Sequence, residues 1–146
     1  MQSKSPSATK KIAAALAKKQ QQKAVICLYG DLGSGKTTFV KGFAAELGLK
    51  ENQIKSPTYT LVRSYKLADS PKMAAQKLHH FDFYRITEPD DLLAADLHEI
   101  FSEKNALILI EWPERIKKFL PAKKINIYFE YIDEKTRSIK IHNKHS

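Results

Sequence analysis

The chain has 146 residues, 42% hydrophobic and 28% charged, enough for one hydrophobic core and too few for two. Its 25 Lys and Arg against 16 Asp and Glu give a net charge of +9, but residues 1–23 contribute +6, residues 24–100 contribute −1 and residues 101–146 contribute +4, so the excess is peripheral. The composition excludes a membrane span of about 18 apolar residues, an internal disulfide, since Cys27 is the one cysteine, and a secretory leader with its apolar stretch, which leaves a cytoplasmic protein as the expectation.

Residues 1–23 are acid-free and hold Lys but no Arg, a composition that fits a helix of the domain better than a mitochondrial transit peptide. Ser7 is read as the cap of that helix, which runs to about Gln20 on an apolar stripe of Ile12, Ala15 and Leu16. Ala24 to Tyr29 is a buried parallel strand. Lys36 to Leu47 is a helix stopped at Gly48. Tyr59 to Tyr65 alternates, with Leu61 and Tyr65 on one face and Thr60, Val62 and Ser64 on the other. After a loop at Ala68 to Ala75, Leu78 to Tyr84 is a second strand. Thr87 with Asp90 three residues later suggests a capping box and a helix from Pro89 to Phe101. Ala106 to Ile110 is a fully apolar strand, and Ile125 to Tyr131 with Ser138 to His142 forms a terminal hairpin around Asp133-Glu134-Lys135. Together these elements predict one three-layer α/β domain over residues 1–146, with a mixed, partly parallel sheet and flexible ends at 1–6 and 143–146.

Gly30-Asp31-Leu32-Gly33-Ser34-Gly35-Lys36-Thr37 fits G-x-x-x-x-G-K-[ST] between a strand and a helix, the setting that the phosphate-binding loop requires. Its glycines let successive N–H groups turn toward an anion, and the helix adds its positive end. Lys36 would reach the β- and γ-phosphates and Thr37 a magnesium ion. A carboxylate at the end of a neighbouring strand completes such a site: Glu111 follows five apolar residues, and Asp82 lies within His80-Phe81-Asp82-Phe83-Tyr84-Arg85. Ser56-Pro57-Thr58 is either a turn or a loop that senses the γ-phosphate. Trp112 is either a crevice contact or a core anchor. Arg85 and Arg115 are candidates to offset transition-state charge, against the plainer reading of solvated or paired arginines. The five histidines give no zinc pattern, and adjacent His79 and His80 face opposite sides of a strand. No Asn-Lys-x-Asp guanine signature is present, so adenine is the expected base.

In this order, Gly30 to Phe39, Ser56 to Val62, His80 to Arg85 and Glu111-Trp112-Pro113-Glu114-Arg115 resemble the four motif blocks of the TsaE (YjeE) family, small bacterial P-loop ATPases of tRNA threonylcarbamoyladenosine biosynthesis. The likeness spans about residues 7–141. It implies a P-loop NTPase fold and Mg²⁺-dependent ATP hydrolysis in support of a TsaB–TsaD pair, which threonylcarbamoylates an adenosine beside the tRNA anticodon. By motif position it implies that Lys36 and Thr37, with Thr38 and the loop residues, bind ATP and Mg²⁺. Glu111 would join the metal shell, Asp82 would position metal or water, Thr58 would lie near the γ-phosphate and Trp112 beside the site. Contact with tRNA is expected to be indirect or weak. The chain departs from the family in having Asp96 where glycine is common, in lacking a glycine after the first helix's leucine, and in having little room for a strand before that helix. Rival readings are a small-molecule P-loop kinase and an assembly switch in which nucleotide binding matters more than hydrolysis.

Overall fold

The computed structural model describes residues 1–54, 61–69 and 73–144. Its elements are β1 (Gln2–Ser3), α1 (Pro6–Lys19), β2 (Ala24–Tyr29), α2 (Lys36–Glu46), β3 (Val62–Lys66), β4 (Lys77–Asp82), α3 (Asp91–Phe101), β5 (Ala106–Glu111), β6 (Lys124–Tyr131) and β7 (Arg137–Lys144). The strands form one sheet in the order β1-β7-β6-β2-β5-β4-β3. Strand β2 runs parallel to β5 and β6, and β4 parallel to β5, while the β1–β7, β6–β7 and β3–β4 pairs are antiparallel. The α/β class and the mixed, partly parallel sheet agree with the expectation from sequence.

Side-chain alternation divides the core into two layers. Ile26 and Leu28 of β2 and Leu107 and Leu109 of β5 meet Phe39, Val40 and Phe43 of α2 and Ala13 and Ala17 of α1. The intervening Val25, Cys27, Ile108 and Ile110 pack with Phe81, Phe83, Leu97 of α3 and Ile116. Burial on both faces is why the central strands read as continuous apolar runs.

The α1–α2 contact is unusually close. A Cβ at Gly42 would lie 2.5 Å from the Lys10 Cα, so only glycine fits there. The buried face of α1 is accordingly Thr9, Ala13 and Ala17, small side chains at i, i+4 spacing, with Ile12 and Leu16 packed alongside. Ala15, expected in that stripe, is exposed. Two surface ion pairs flank the crossing, Lys10–Glu51 at 2.6 Å and Lys18–Glu46 at 3.8 Å.

Several boundaries differ from expectation. The cap of α1 is Ser5, whose hydroxyl accepts from the Ala8 amide at 3.0 Å, with Pro6 opening the helix; proline's fixed φ favours that register over a start at Ser7. Residues 1–6, expected as a flexible end, are seated: Gln2 and Ser3 pair with Ser138 and Arg137, and the Met1 amino group donates to the Ile139 carbonyl at 3.0 Å. A short strand before the first helix is thus present. Asn143 and Lys144 continue β7, and residues 145–146 lie outside the described residues. Asp90 itself caps α3, its carboxylate accepting from the Leu93 amide at 2.8 Å, so no capping box with Thr87 forms. Strand β4 ends at Asp82, with Phe83 and Tyr84 in the turn beyond. Leu61 packs with Val62 on the α3 side of the sheet rather than with Tyr65, which joins the other layer; Leu61 precedes β3 and escapes its alternation. Tyr59 and Thr60 lie outside the described residues. Among the described residues no helix is long and apolar enough to cross a membrane.

Candidate functional site

The connection from β2 to α2 turns on Gly30, Gly33 and Gly35, all with positive φ. Gly35, at φ 105°, is the N-cap of α2, a left-handed position at which a Cβ would be strained. No side chain caps α2 and no acid stands in its first turn. Its opening amides therefore lack the hydroxyl or carboxylate partner that Ser5 and Asp90 supply to α1 and α3. They stand at a cavity of about 400 Å³, bordered by Leu32, Gly33, Gly35, Lys36, Thr37 and Thr38 from the loop and α2, and by Asp82, Glu111 and Trp112 from the facing strand ends. Asp31 and Leu32 form the loop's exposed rim. Ser34 is buried, and its hydroxyl has no partner among the described residues.

Lys36 is 5% exposed. Its ammonium donates to the Gly30 carbonyl and lies 3.7 Å from the centroid of the Trp112 ring. Burial lowers its pKa below the usual lysine range, against the opposing pull of Glu111, Glu114, Asp82 and Asp31. The loop thus holds a charged donor folded back on itself, available to an anion entering the cavity.

Parallel pairing of β4 with β5 sets Asp82 directly opposite Glu111. The buried Glu111 carboxylate is held on both oxygens: Oε1 accepts from the Thr37 hydroxyl at 3.1 Å, and Oε2 lies 2.6 Å from His80 Nε2. An ionised Glu111 makes Nε2 the donor, leaving His80 Nδ1 without a partner among the described residues. Asp82 accepts from the Tyr84 amide at 3.0 Å. Burial raises its pKa and the Glu111 charge adds to that, while the Tyr84 hydrogen bond opposes them.

Trp112 sits at φ 58°, a left-handed conformation that a bulky residue adopts at a cost of about 1–3 kcal/mol. The turn lays its ring between the Lys36 ammonium and the Tyr84 ring, whose centroid is 5.1 Å away. Trp112 is therefore a crevice contact.

The oxygen set of Thr37, Glu111 and Asp82 suits a hard cation that keeps waters and is completed by phosphate oxygens. No group of three or more His, Cys, Asp and Glu side chains able to hold a metal occurs among the described residues. The unpartnered Ser34 hydroxyl and the uncapped start of α2 are the matching features on the anion side.

Of the sequence candidates, Lys36, Thr37, Asp82, Glu111 and Trp112 converge with the loop at one cavity, and Thr58 lies outside the described residues. Arg85 is exposed, and Arg115 donates to the Ile86 carbonyl at 3.4 Å. His80 was not legible as a site residue, although strand alternation already puts it on the face of Asp82. Arg137 carried no sequence signal: from the β6–β7 hairpin its Nε donates to the Gly33 carbonyl at 3.2 Å.

Comparison with known proteins shows the family and the fold. Residues 3–139 match the family described as threonylcarbamoyl adenosine biosynthesis protein TsaE. The chain is 37% identical to the tRNA threonylcarbamoyladenosine biosynthesis protein TsaE of Haemophilus influenzae, over 86% of this chain and 75% of that one. It is also 37% identical to the TsaE protein of Aquifex aeolicus, over 93% and 90%. The crystal structure of Bacillus subtilis YdiB superposes with a TM-score of 0.75 at 30% identity, covering 99% of this chain and 84% of that one. A glycine-rich loop between strand and helix, facing paired strand-end acids on a P-loop fold, thus comes with relatives over nearly the whole length: the chain belongs to the TsaE family of tRNA threonylcarbamoyladenosine biosynthesis proteins.

Proposed function

We propose that the protein binds ATP with Mg²⁺ in the loop cavity and hydrolyses it in support of a TsaB–TsaD pair that threonylcarbamoylates tRNA adenosine. The observation that carries this reading is the Thr37–Glu111–His80 chain, which holds a hydroxyl and a carboxylate at the mouth of a phosphate-type loop. Thr37 and Glu111 would hold Mg²⁺, which when bound draws off negative charge from the phosphates. Lys36 leaves the Gly30 carbonyl to pair with phosphate oxygens, the opening amides of α2 donate to them, and Asp82 orients water from the facing strand. Trp112 and Tyr84 wall the cavity and limit access of bulk water. Isolated turnover is expected to be slow, because Arg115 is engaged by the Ile86 carbonyl and Arg137 by the Gly33, Asp133 and Thr136 carbonyls, so that charge compensation falls to the partner.

The test is tRNA modification over multiple turnovers, reconstituted with TsaB–TsaD and with phosphate release followed in parallel. Lys36→Ala and Glu111→Ala should stop both signals; unchanged phosphate release in both variants rejects the site. ATP labelled at the γ-phosphate, offered with a metabolite panel, separates the kinase reading, since a labelled metabolite supports a kinase and free phosphate a hydrolase. Partner capture that is indifferent to ATP, ADP or a non-hydrolysable analogue would count against any switch.

A further inference from the structure

At the opposite end of the parallel strands lies a second cavity, of about 610 Å³, that the nucleotide chemistry does not use. Among the described residues four lysines border it: Lys23 just before β2, Lys104 just before β5, and Lys123 and Lys124 at the start of β6. They come from three connections far apart in sequence and are gathered because parallel strands start on one edge of the sheet. Among the described residues no Asp or Glu side chain lines the cavity. Lys124 donates to the Pro121 carbonyl at 3.0 Å, while Lys23, Lys104 and Lys123 are exposed and have no ion-pair or hydrogen-bond partner among the described residues. Glu103, the nearest acid in sequence, is turned away onto His79 at 2.9 Å. Like charges gathered without a counter-charge repel one another, and that cost is relieved by a polyanion.

The rest of the wall narrows the class. The lining also includes the side-chain amides of Gln20, Gln22, Asn105 and Asn143 and the apolar side chains of Phe101 and Pro121, so the cavity offers donors and acceptors for a base edge and flat surface for its ring. A concave site of this size admits an extruded nucleotide rather than the convex side of a duplex. We infer that this lysine-lined cavity binds the sugar–phosphate backbone of unpaired RNA, with Lys23, Lys104 and Lys123 on successive phosphates. It is separate from the loop cavity and does not depend on nucleotide hydrolysis there. Lysines act as point charges without a fork for particular base edges, so binding is weakly selective in sequence and strongly salt-dependent.

Fluorescence anisotropy of the full chain with labelled single-stranded RNA of about 12 nucleotides, and with a duplex of the same sequence, tests this between about 50 and about 200 mM salt. Wild type should bind the single strand more tightly than the duplex. The Lys23→Glu/Lys104→Glu/Lys123→Glu variant should lose at least about tenfold in affinity at the low-salt end, and its log–log salt slope should flatten by about 2, at roughly 0.7 per phosphate contact. Lys23→Ala/Lys104→Ala provides a milder variant, with melting temperature as the fold check for both; its slope should flatten by about 1.4. Lys11→Glu/Arg63→Glu/Lys140→Glu, equal in charge change and outside the cavity lining, should leave the slope within about 0.5 of wild type. Equal losses in the two triple variants would reduce the effect to net charge and overturn the site. So would no binding by wild type at low salt, preference for the duplex, or binding of inorganic tripolyphosphate without binding of RNA.

Discussion

At the C-terminal ends of β2 and β5, Lys36, Thr37, Glu111 and His80 are each tied to another of the set or to backbone. At the N-terminal ends of β2, β5 and β6, Lys23, Lys104 and Lys123 hold no partner among the described residues. The upper cavity is rigidly pre-set, with left-handed Gly35 and Trp112 fixing where donors point. The lower one is a gathering of long side chains with free rotors. The contrast follows from the work each end suits. Chemistry on phosphate needs atoms held within fractions of an ångström, whereas a flexible polyanion is held as well by a field of mobile charges.

Four substitutions and one control probe how far that contrast goes. The largest effect is expected from Lys36→Ala, which should cut phosphate release on the order of 10²-fold or more, while the exposed Lys140→Ala leaves it within about twofold. Comparable losses from both would mean that charge near the loop, not its placement, matters. His80→Ala removes the donor behind Glu111 and should raise the Mg²⁺ concentration for half-maximal turnover by about 10–100-fold. The Oε2 of Glu111, left without its donor while Oε1 keeps Thr37, should also cost about 1–3 kcal/mol of stability. A Mg²⁺ titration that overlays wild type would show that Glu111 needs no positioning.

Gly42→Ala acts on both cavities at once, because α1 carries Ser5, Pro6 and Thr9 to the upper one and ends at Gln20 beside the lower. The new methyl meets the Lys10 Cα, and thermal melting should register a loss of about 1–3 kcal/mol, or roughly 3–10 °C. The last effect appears only in alkali. Burial pushes the Cys27 thiol up from 9.0 to about 12 and also raises the Tyr29 hydroxyl. Above pH 9 the unfolded chain releases the thiol proton while the folded chain keeps it, so folding stability is fully present below pH 9. It falls between pH 9 and about 12, by up to about 1.4 kcal/mol per unit from Cys27. Urea midpoints for wild type and Cys27→Ala should diverge over that range in favour of the variant; parallel curves would mean that the β2 core admits water.

The upper cavity was largely legible in the sequence because its chemistry is local. A strand, eight loop residues and a helix are contiguous, and Glu111 ends an apolar run that alternation alone makes buried. His80 was harder to recognise. Its distance of two residues from Asp82 fixes its face, but its bond to Glu111 depends on the β4–β5 register, which no short window encodes. Arg137 reaches Gly33 across 104 positions, and the lysines of the lower cavity meet only when three connections end on one edge. Boundaries failed where two capping signals competed: Ser5 prevailed over Ser7 because Pro6 suits the first helical turn, and Asp90 acted as a cap in its own right. The small-residue face of α1 was misread as an apolar stripe, since helical spacing shows which residues share a face but not how closely the neighbouring helix approaches.

The strained turn at position 112 gives the chain a built-in optical gauge. Trp112 is the one tryptophan in the protein, and the ammonium above its ring belongs to Lys36, the lysine proposed to pair with phosphate. Removing a cation 3.7 Å from an indole changes the field the excited ring feels, so occupancy of the loop can be read from intrinsic emission in unlabelled protein, without coupling to turnover. A titration with ATP and Mg²⁺ would then report when the lysine lets go, while phosphate release reports when the bond breaks, and the interval between the two signals times the step in which a partner could act.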